Sequence, residues 1–254
     1  MNKREKAQVE SRISYIKEIA QKLNAEYRYG IKSVKHPFDI EENTYNAESN
    51  IIVGSIDGYE YCFIESYNTH RNDNAFRWES KLYIRFKDNI PNMQLVTKET
   101  AASDFRFKLI FSLAFSVFPS ILLIGFISKI GNDFKFIFPC LFLAVPVVFG
   151  ILGFKDVYTL KKQINNQQIY SIKNKKFKEK YLILSKESTY SICRIFNEEV
   201  CSKIADYPTA INLNIHNNCT HLEFDYGEKL IYETCKEKLE KLLEQVKIFE
   251  KNQF

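Results

Sequence analysis

Glycine and proline are scarce in this chain, 8 and 6 among 254 residues. With apolar residues plentiful at 45%, collagen-like, disordered and disulfide-scaffold chains are excluded. The six cysteines include no Cys-x-x-Cys pair, so a structural zinc ribbon lacks its framework, and a reducing cytosol would keep them as thiols. No GxGxxG or GxxxxGK loop occurs, which removes the usual phosphate cradle. Nothing resembling a secretory signal opens the chain, because Met1 to Gln21 is charged and amphipathic. Charge of either sign is missing from two further places: Leu109 to Ile127 and Phe136 to Phe154 are each 19 residues without a single charge.

At about 1.5 Å per helical residue such a run reaches about 28 Å, against about 30 Å for the hydrocarbon core of a bilayer. In lipid every backbone N–H and C=O needs an internal partner, so two runs eight residues apart are expected to form a transmembrane helical hairpin. Gly131-Asn132-Asp133, between Lys129 and Lys135, marks its turn. The alternative, two core helices of a soluble domain, is disfavoured because such helices usually carry a polar face with charged residues, and neither run has a charge. Intramembrane ionisable groups mark proton relays and ion paths, and their absence argues against a pump or transporter.

Charge sets the orientation. From Lys155 to Lys180 eight lysines stand against Asp156 and Glu179, a net of +6, while the connecting SKIGNDFK carries +1. Positive residues stay inside, which places both termini in the cytoplasm of a multi-pass protein of the inner (plasma) membrane. Ser112, Ser116 and Ser120 recur every fourth residue and form a small polar stripe for helix packing, with Cys140 and Ala144 at the same spacing on the second helix. Pro119, Pro139 and Pro146 are expected to kink the helices.

The flanking pieces, residues 1–108 and 155–254, read as parts of one composite α+β cytoplasmic domain, a mostly antiparallel sheet with covering helices, interrupted by the hairpin at 109–154. An opening helix places Val9, Ile13, Ile16, Ala20, Leu23 and Tyr27 on one face and is ended by Gly30. The polar stretch Glu41 to Asn50 leads to strands Ile51 to Ile56 and Tyr59 to Tyr67, joined by Asp57-Gly58. The next strand alternates Trp78, Ser80, Leu82, Ile84 and Phe86 towards the core with Arg77, Glu79, Lys81, Tyr83, Arg85 and Lys87 towards water. Met93 to Lys98 is a further strand. The second piece reads as strand Lys180 to Ser185, a helix capped by Ser188 with Ile192, Ile195, Phe196, Val200 and Ile204 on one face, a hairpin turning at Asn217-Asn218, and a closing helix from Tyr232 to Phe249. The first and last helices are expected to pack onto the sheet rather than form coiled coils.

The order IVGSIDGYEYCFIE, alternating strand, Pro-led strand, apolar hairpin, FKEKYLILSKESTYSICRIFNEEV and Asn-rich hairpin resembles a group of uncharacterised bacterial membrane proteins with cytoplasmic α+β domains, from Ile51 to Phe224. The resemblance implies a fold and a membrane setting, and no activity.

Three clusters carry chemistry. His216, Cys219 and His221 share one face of the Asn217-Asn218 hairpin and are zinc-ligand types, although Asn212 and Asn214 mark that face as solvated. Cys62, His70 and Glu65 offer a nucleophile, base and orienter, with Cys62 equally placed for the core. Lys173, Lys175, Lys176, Lys178 and Lys180 form a basic run about 20 residues past the second apolar stretch, suited to a lipid surface. Nucleic acid is not expected, since the two cytoplasmic pieces net only +1 and +3. The leading expectation is a non-enzymatic scaffold, adaptor or regulator that needs no cofactor and binds the bilayer together with a protein partner or a second copy. An oligomeric channel or membrane-disrupting effector, and a membrane-bound Cys/His metal-dependent hydrolase, are the alternatives.

Overall fold

The structure is a computed structural model describing residues 3–30, 38, 48–69, 76–130, 137–166, 172–185, 187–225 and 228–250. The expected Gly131-Asn132-Asp133 turn, His70, and 41–47 of the polar stretch lie outside the described residues. The elements begin α1 (Lys3–Lys22), β1 (Glu26–Gly30), β2 (Glu48–Ile56), β3 (Tyr59–Thr69), β4 (Phe76–Arg85) and β5 (Met93–Thr97). Then come α2 (Lys98–Ile130), α3 (Ile137–Asn166), α4 (Lys175–Lys180) and β6 (Tyr181–Ser185). The order closes with α5 (Thr189–Ile195), α6 (Glu198–Ala205), β7 (Leu213–His216), β8 (Cys219–Glu223) and α7 (Tyr232–Glu250). This is an α+β architecture in which every described strand register is antiparallel. The chain divides into two units, Met1–Gln94 with Lys186–Phe254, and Leu95–Ser185.

In the first unit the strand order is β1-β2-β3-β4-β8-β7. Both tight turns form where expected, with Asp57 and Gly58 at φ 52° and 77° and Asn217 and Asn218 at 48° and 62°. The registers lay out rows across the sheet. Ile52, Phe63, Leu82 and Leu222 form one, and Tyr61, Ile84, Thr220 and Ile215 the next. Tyr61 pairs with Gly54, where a β-carbon would strike its ring; the missing side chain lets the ring lie across the strand and its hydroxyl donate to the Leu23 carbonyl.

Against this face lie Val9, Ile16, Ile19 and Ala20 of α1 and Cys235, Leu239, Leu242, Val246 and Phe249 of α7, all buried. The apolar period of the first helix runs through Tyr27, but the helix itself stops earlier. Asn24 adopts φ 52°, its N–H donates to the Gln21 carbonyl at 3.0 Å, and the Ala25 N–H donates to the Ala20 carbonyl at 2.8 Å. This left-handed closure, which asparagine tolerates, turns the chain back so that Tyr27 is a strand residue opposite Ile52. The helix expected after Ser188 is likewise two helices. Ser188 caps α5, and Asn197 caps α6 by accepting from the Val200 N–H at 2.9 Å, yet the expected apolar face stays buried through both.

The reverse face of the sheet is not uniformly wet. Tyr83 and Cys219 are buried there with Phe38, Ile51 and Cys62, and the Arg85 guanidinium lies 4.6 Å from the Phe38 ring centroid. Alternation correctly sends Tyr83 away from the main core, but Phe38 covers it.

Thr220 is fully buried in the main core, and its hydroxyl has no hydrogen-bond partner among the described residues. An orphaned buried hydroxyl costs about 1–3 kcal/mol, so Thr220→Val, nearly isosteric, is expected to stabilise the protein by about 1 kcal/mol. A urea midpoint unchanged or lowered in the variant contradicts this.

In the second unit β5 lies beside β6, and Thr97 caps α2, accepting from the Thr100 N–H at 3.1 Å. Both apolar helices therefore extend beyond the uncharged runs, α2 beginning at Lys98 and α3 ending at Asn166. Both are long and apolar enough to cross a membrane. The FKEK segment before β6 is helical in α4, started by Asn174, which accepts from the Phe177 N–H at 2.8 Å. Phe177 is buried and stacks on Tyr181 with ring centroids 5.4 Å apart.

Candidate functional site

The hairpin register places Cys219 opposite His216 and His221 opposite Tyr83. These positions share a face but not an environment. His216 is exposed at the hairpin tip, whereas Cys219 is 2% exposed among the apolar residues of the reverse face. Burial pushes the Cys219 thiol up, with Arg85 pulling the other way, so the metal-binding thiolate is disfavoured. His221 lies on the Tyr83 ring at 5.5 Å. Among the described residues no three His, Cys, Asp or Glu side chains converge as a metal-ligand set. Burial also pushes Cys201 and Cys235 up to about 12 each.

Glu65 is claimed by a different partner from the one its sequence neighbours suggest. It is fully buried, and Arg12 of α1 holds it in a fork, Nε to Oε1 at 3.0 Å and Nη2 to Oε2 at 2.5 Å. The Asn50 amide donates to Oε1 at 3.2 Å and the Leu230 N–H to Oε2 at 3.0 Å. Arg12 also donates to the Leu230 carbonyl at 2.7 Å. Across the sheet Asn50, Glu65 and Ser80 form a polar row, extended by Tyr27 donating to Asn50 and by Ser80 donating to the Glu228 carbonyl. Cys62 points to the reverse face, as alternation requires. Glu65 therefore serves as the centre of a buried clasp.

On α2, Ser112 is buried and Ser116 and Ser120 are partly buried. Ser112 donates to the Lys108 carbonyl at 2.7 Å, and Ser116 donates to the Ser112 carbonyl. The residues that meet this stripe are Gly153 at Ser112 and Gly150 at Ser116, so α2 and α3 run antiparallel with small residues on both sides. Cys140 and Ala144 are both partly buried and lie nearer the start of α3. Glycine offers no side-chain pattern, and for that reason spacing alone passed over Gly150 and Gly153.

Lys173, Lys175, Lys176, Lys178 and Lys180 are all exposed on and beside α4. The same unit has a groove of about 470 Å³ at the start of α2. Ala101, Ala102, Phe105 and Leu182 form its apolar wall, with Lys98, Arg106 and Lys161 as its charged residues. The five α2 residues recur at steps of three and one, a single helix face. That face was legible only to a reader who carried the helix back to Thr97. In the first unit a separate cleft of about 450 Å³ is bordered by Tyr190, Arg194, Asn92 and Asn217. Its asparagines are structural: Asn218 accepts from the Ile90 N–H and donates to the Phe86 carbonyl, and Asn92 accepts from the Asn217 N–H. Tyr190, 79% exposed, and Arg194 are left at its edge.

Comparison with protein-family models, with curated proteins and with solved structures finds no match. The functional reading therefore rests on geometry.

Proposed function

We propose that this chain is an integral protein of the inner (plasma) membrane, crossed by α2 and α3, whose α+β unit works on the cytoplasmic side by binding another protein or a second copy rather than by catalysis. One observation carries the membrane reading. Among the described residues, eighteen of the twenty-two exposed large hydrophobic side chains lie on α2 and α3, with Phe118 at 67% and Phe142 at 81% exposure. Burial of one such side chain is worth about 1.5–3 kcal/mol, so keeping eighteen in water forgoes stabilisation, a cost larger than a domain's typical net stability. Lipid removes that cost. The net +6 after the second span against +1 between the spans supports cytoplasmic termini.

For the binding role, Tyr190 and Arg194 at the edge of the first unit's cleft are the residue types that dominate protein interfaces. The channel alternative is less favoured, because Ser112 and Ser116 are occupied by contact with α3 and are not turned towards a pore. Reporter fusions provide the test. A reporter active only in the cytoplasm should work at either terminus, and one active only outside should work at Asn132. The reverse pattern, or recovery of the intact chain in solution without detergent, overturns the reading. Crosslinking of the detergent-solubilised chain should trap an oligomer or partner that is lost with Tyr190→Ala and Arg194→Ala together, and an isolated monomer would contradict the binding role.

A further inference from the structure

We propose that the groove formed by α2, Lys161 of α3 and Leu182 of β6 is a binding site for an anionic phospholipid, its phosphate held by the groove's cations and its glycerol and upper acyl carbons laid on the apolar wall. This rests on the reading that α2 and α3 lie in a bilayer. The lining combines two chemistries that few other ligands would satisfy together. Lys98, Arg106 and Lys161 supply positive charge, and no acidic residue lines the groove among the described residues. The nearby Asp104 is engaged by Lys108 at 2.9 Å. The wall of Ala101, Ala102, Phe105 and Leu182 offers a phosphate ion nothing but suits the hydrocarbon of a lipid. A zwitterionic headgroup would bring an ammonium into a groove without a counter-charge.

Depth agrees with this occupant. Arg106 precedes the uncharged run by three residues, about 4.5 Å along the helix, inside a headgroup layer about 5–7 Å thick on each side of the core. Its planar fork matches phosphate oxygens in pairs. Lys161 lies seven residues beyond the second run, about 10 Å, and a lysine stem extends towards the interface. The groove also differs from the α4 lysines in kind. The cations of both are exposed on helix surfaces and able to attract an anionic membrane, but those of the groove stand beside the apolar wall of Ala101, Ala102, Phe105 and Leu182.

The test uses the full chain purified in a neutral detergent and titrated with fluorescent phosphatidylglycerol or phosphatidylcholine. The expected result is at least about tenfold tighter binding of phosphatidylglycerol, weakened about 25-fold by Arg106→Gln with Lys161→Gln, at about fivefold per cation removed. Ala102→Phe, which fills the groove and keeps every charge, should abolish the preference. Lys175→Gln with Lys178→Gln on α4 should leave it intact. Glycerol phosphate should not compete. Equal affinity for the two lipids, equal losses from the groove and α4 variants, an unaffected Ala102→Phe, or displacement by glycerol phosphate would each overturn the assignment. A chain that needs no detergent would instead defeat the membrane reading beneath it, so the two failures are distinguishable.

Discussion

Replacing Glu65 with leucine is expected to destabilise the first unit by about 3–5 kcal/mol, the cost of removing one partner from a buried ion pair. The loss has identifiable parts. Arg12, its side chain only 11% exposed, would lose both bonds to the Glu65 carboxylate, and the Asn50 amide and Leu230 N–H would each lose an acceptor. Glu65→Gln should cost less, since its amide oxygen still accepts one of these bonds while its NH₂ opposes the Arg12 donors. The double variant Arg12→Leu with Glu65→Leu should recover much of the loss, because no isolated charge is then left in the interior. Urea unfolding of the parent, Arg12→Leu, Glu65→Leu and the double variant, followed by circular dichroism, gives the coupling energy directly. A Glu65→Leu variant within about 1 kcal/mol of the parent would show that the clasp is not an energetic centre of the unit.

The second large effect is expected in the apolar helices. A β-carbon at Gly150 would lie 2.7 Å from the Ser116 backbone nitrogen and 2.9 Å from the Phe115 carbonyl carbon. Neither atom can rotate away, so Gly150→Leu should force α2 and α3 apart at this contact, costing about 1–3 kcal/mol or more by overpacking. Gly153 meets chiefly the Ser112 hydroxyl, the movable end of a side chain, and Gly153→Ala should be milder. At Gly125 an added carbon meets nothing within 4 Å, so Gly125→Ala should be neutral or stabilising by up to about 1 kcal/mol. Melting temperatures of the three variants in one detergent should fall in the order Gly125→Ala, Gly153→Ala, Gly150→Leu, and a reversed order would contradict the described contact.

These expectations separate what local pattern reveals from what it does not. Asp57-Gly58 and Asn217-Asn218 are readable because a two-residue turn between β-rich runs is a local event with local chemistry. Asn24 was missed because Leu23 and Tyr27 continue the helical period by coincidence, and a left-handed stop leaves only a single asparagine in the sequence. Asn197 divides α5 from α6 without disturbing the apolar period, so the buried face was legible while the break was not. The wet face assigned to β4 failed at Tyr83 because its cover, Phe38, comes from a distant part of the chain. The candidate sites divide in the same way. Arg12 and Glu65 are 53 residues apart, and nothing in either neighbourhood announces the other. The lysines of α4 are conspicuous as a run, whereas the groove draws its members from positions 98–106, 161 and 182, and only folding assembles them. His216, Cys219 and His221 show the opposite hazard, in which residues adjacent in a pattern have unlike surroundings.

Thr97 is at once the last residue of β5 and the cap of α2. No slack therefore separates the strand from the rod that follows it. With α2 seated in a bilayer as proposed, a tilt imposed by a thicker or thinner membrane would bear on β5 directly, with no linker residue between them to absorb it.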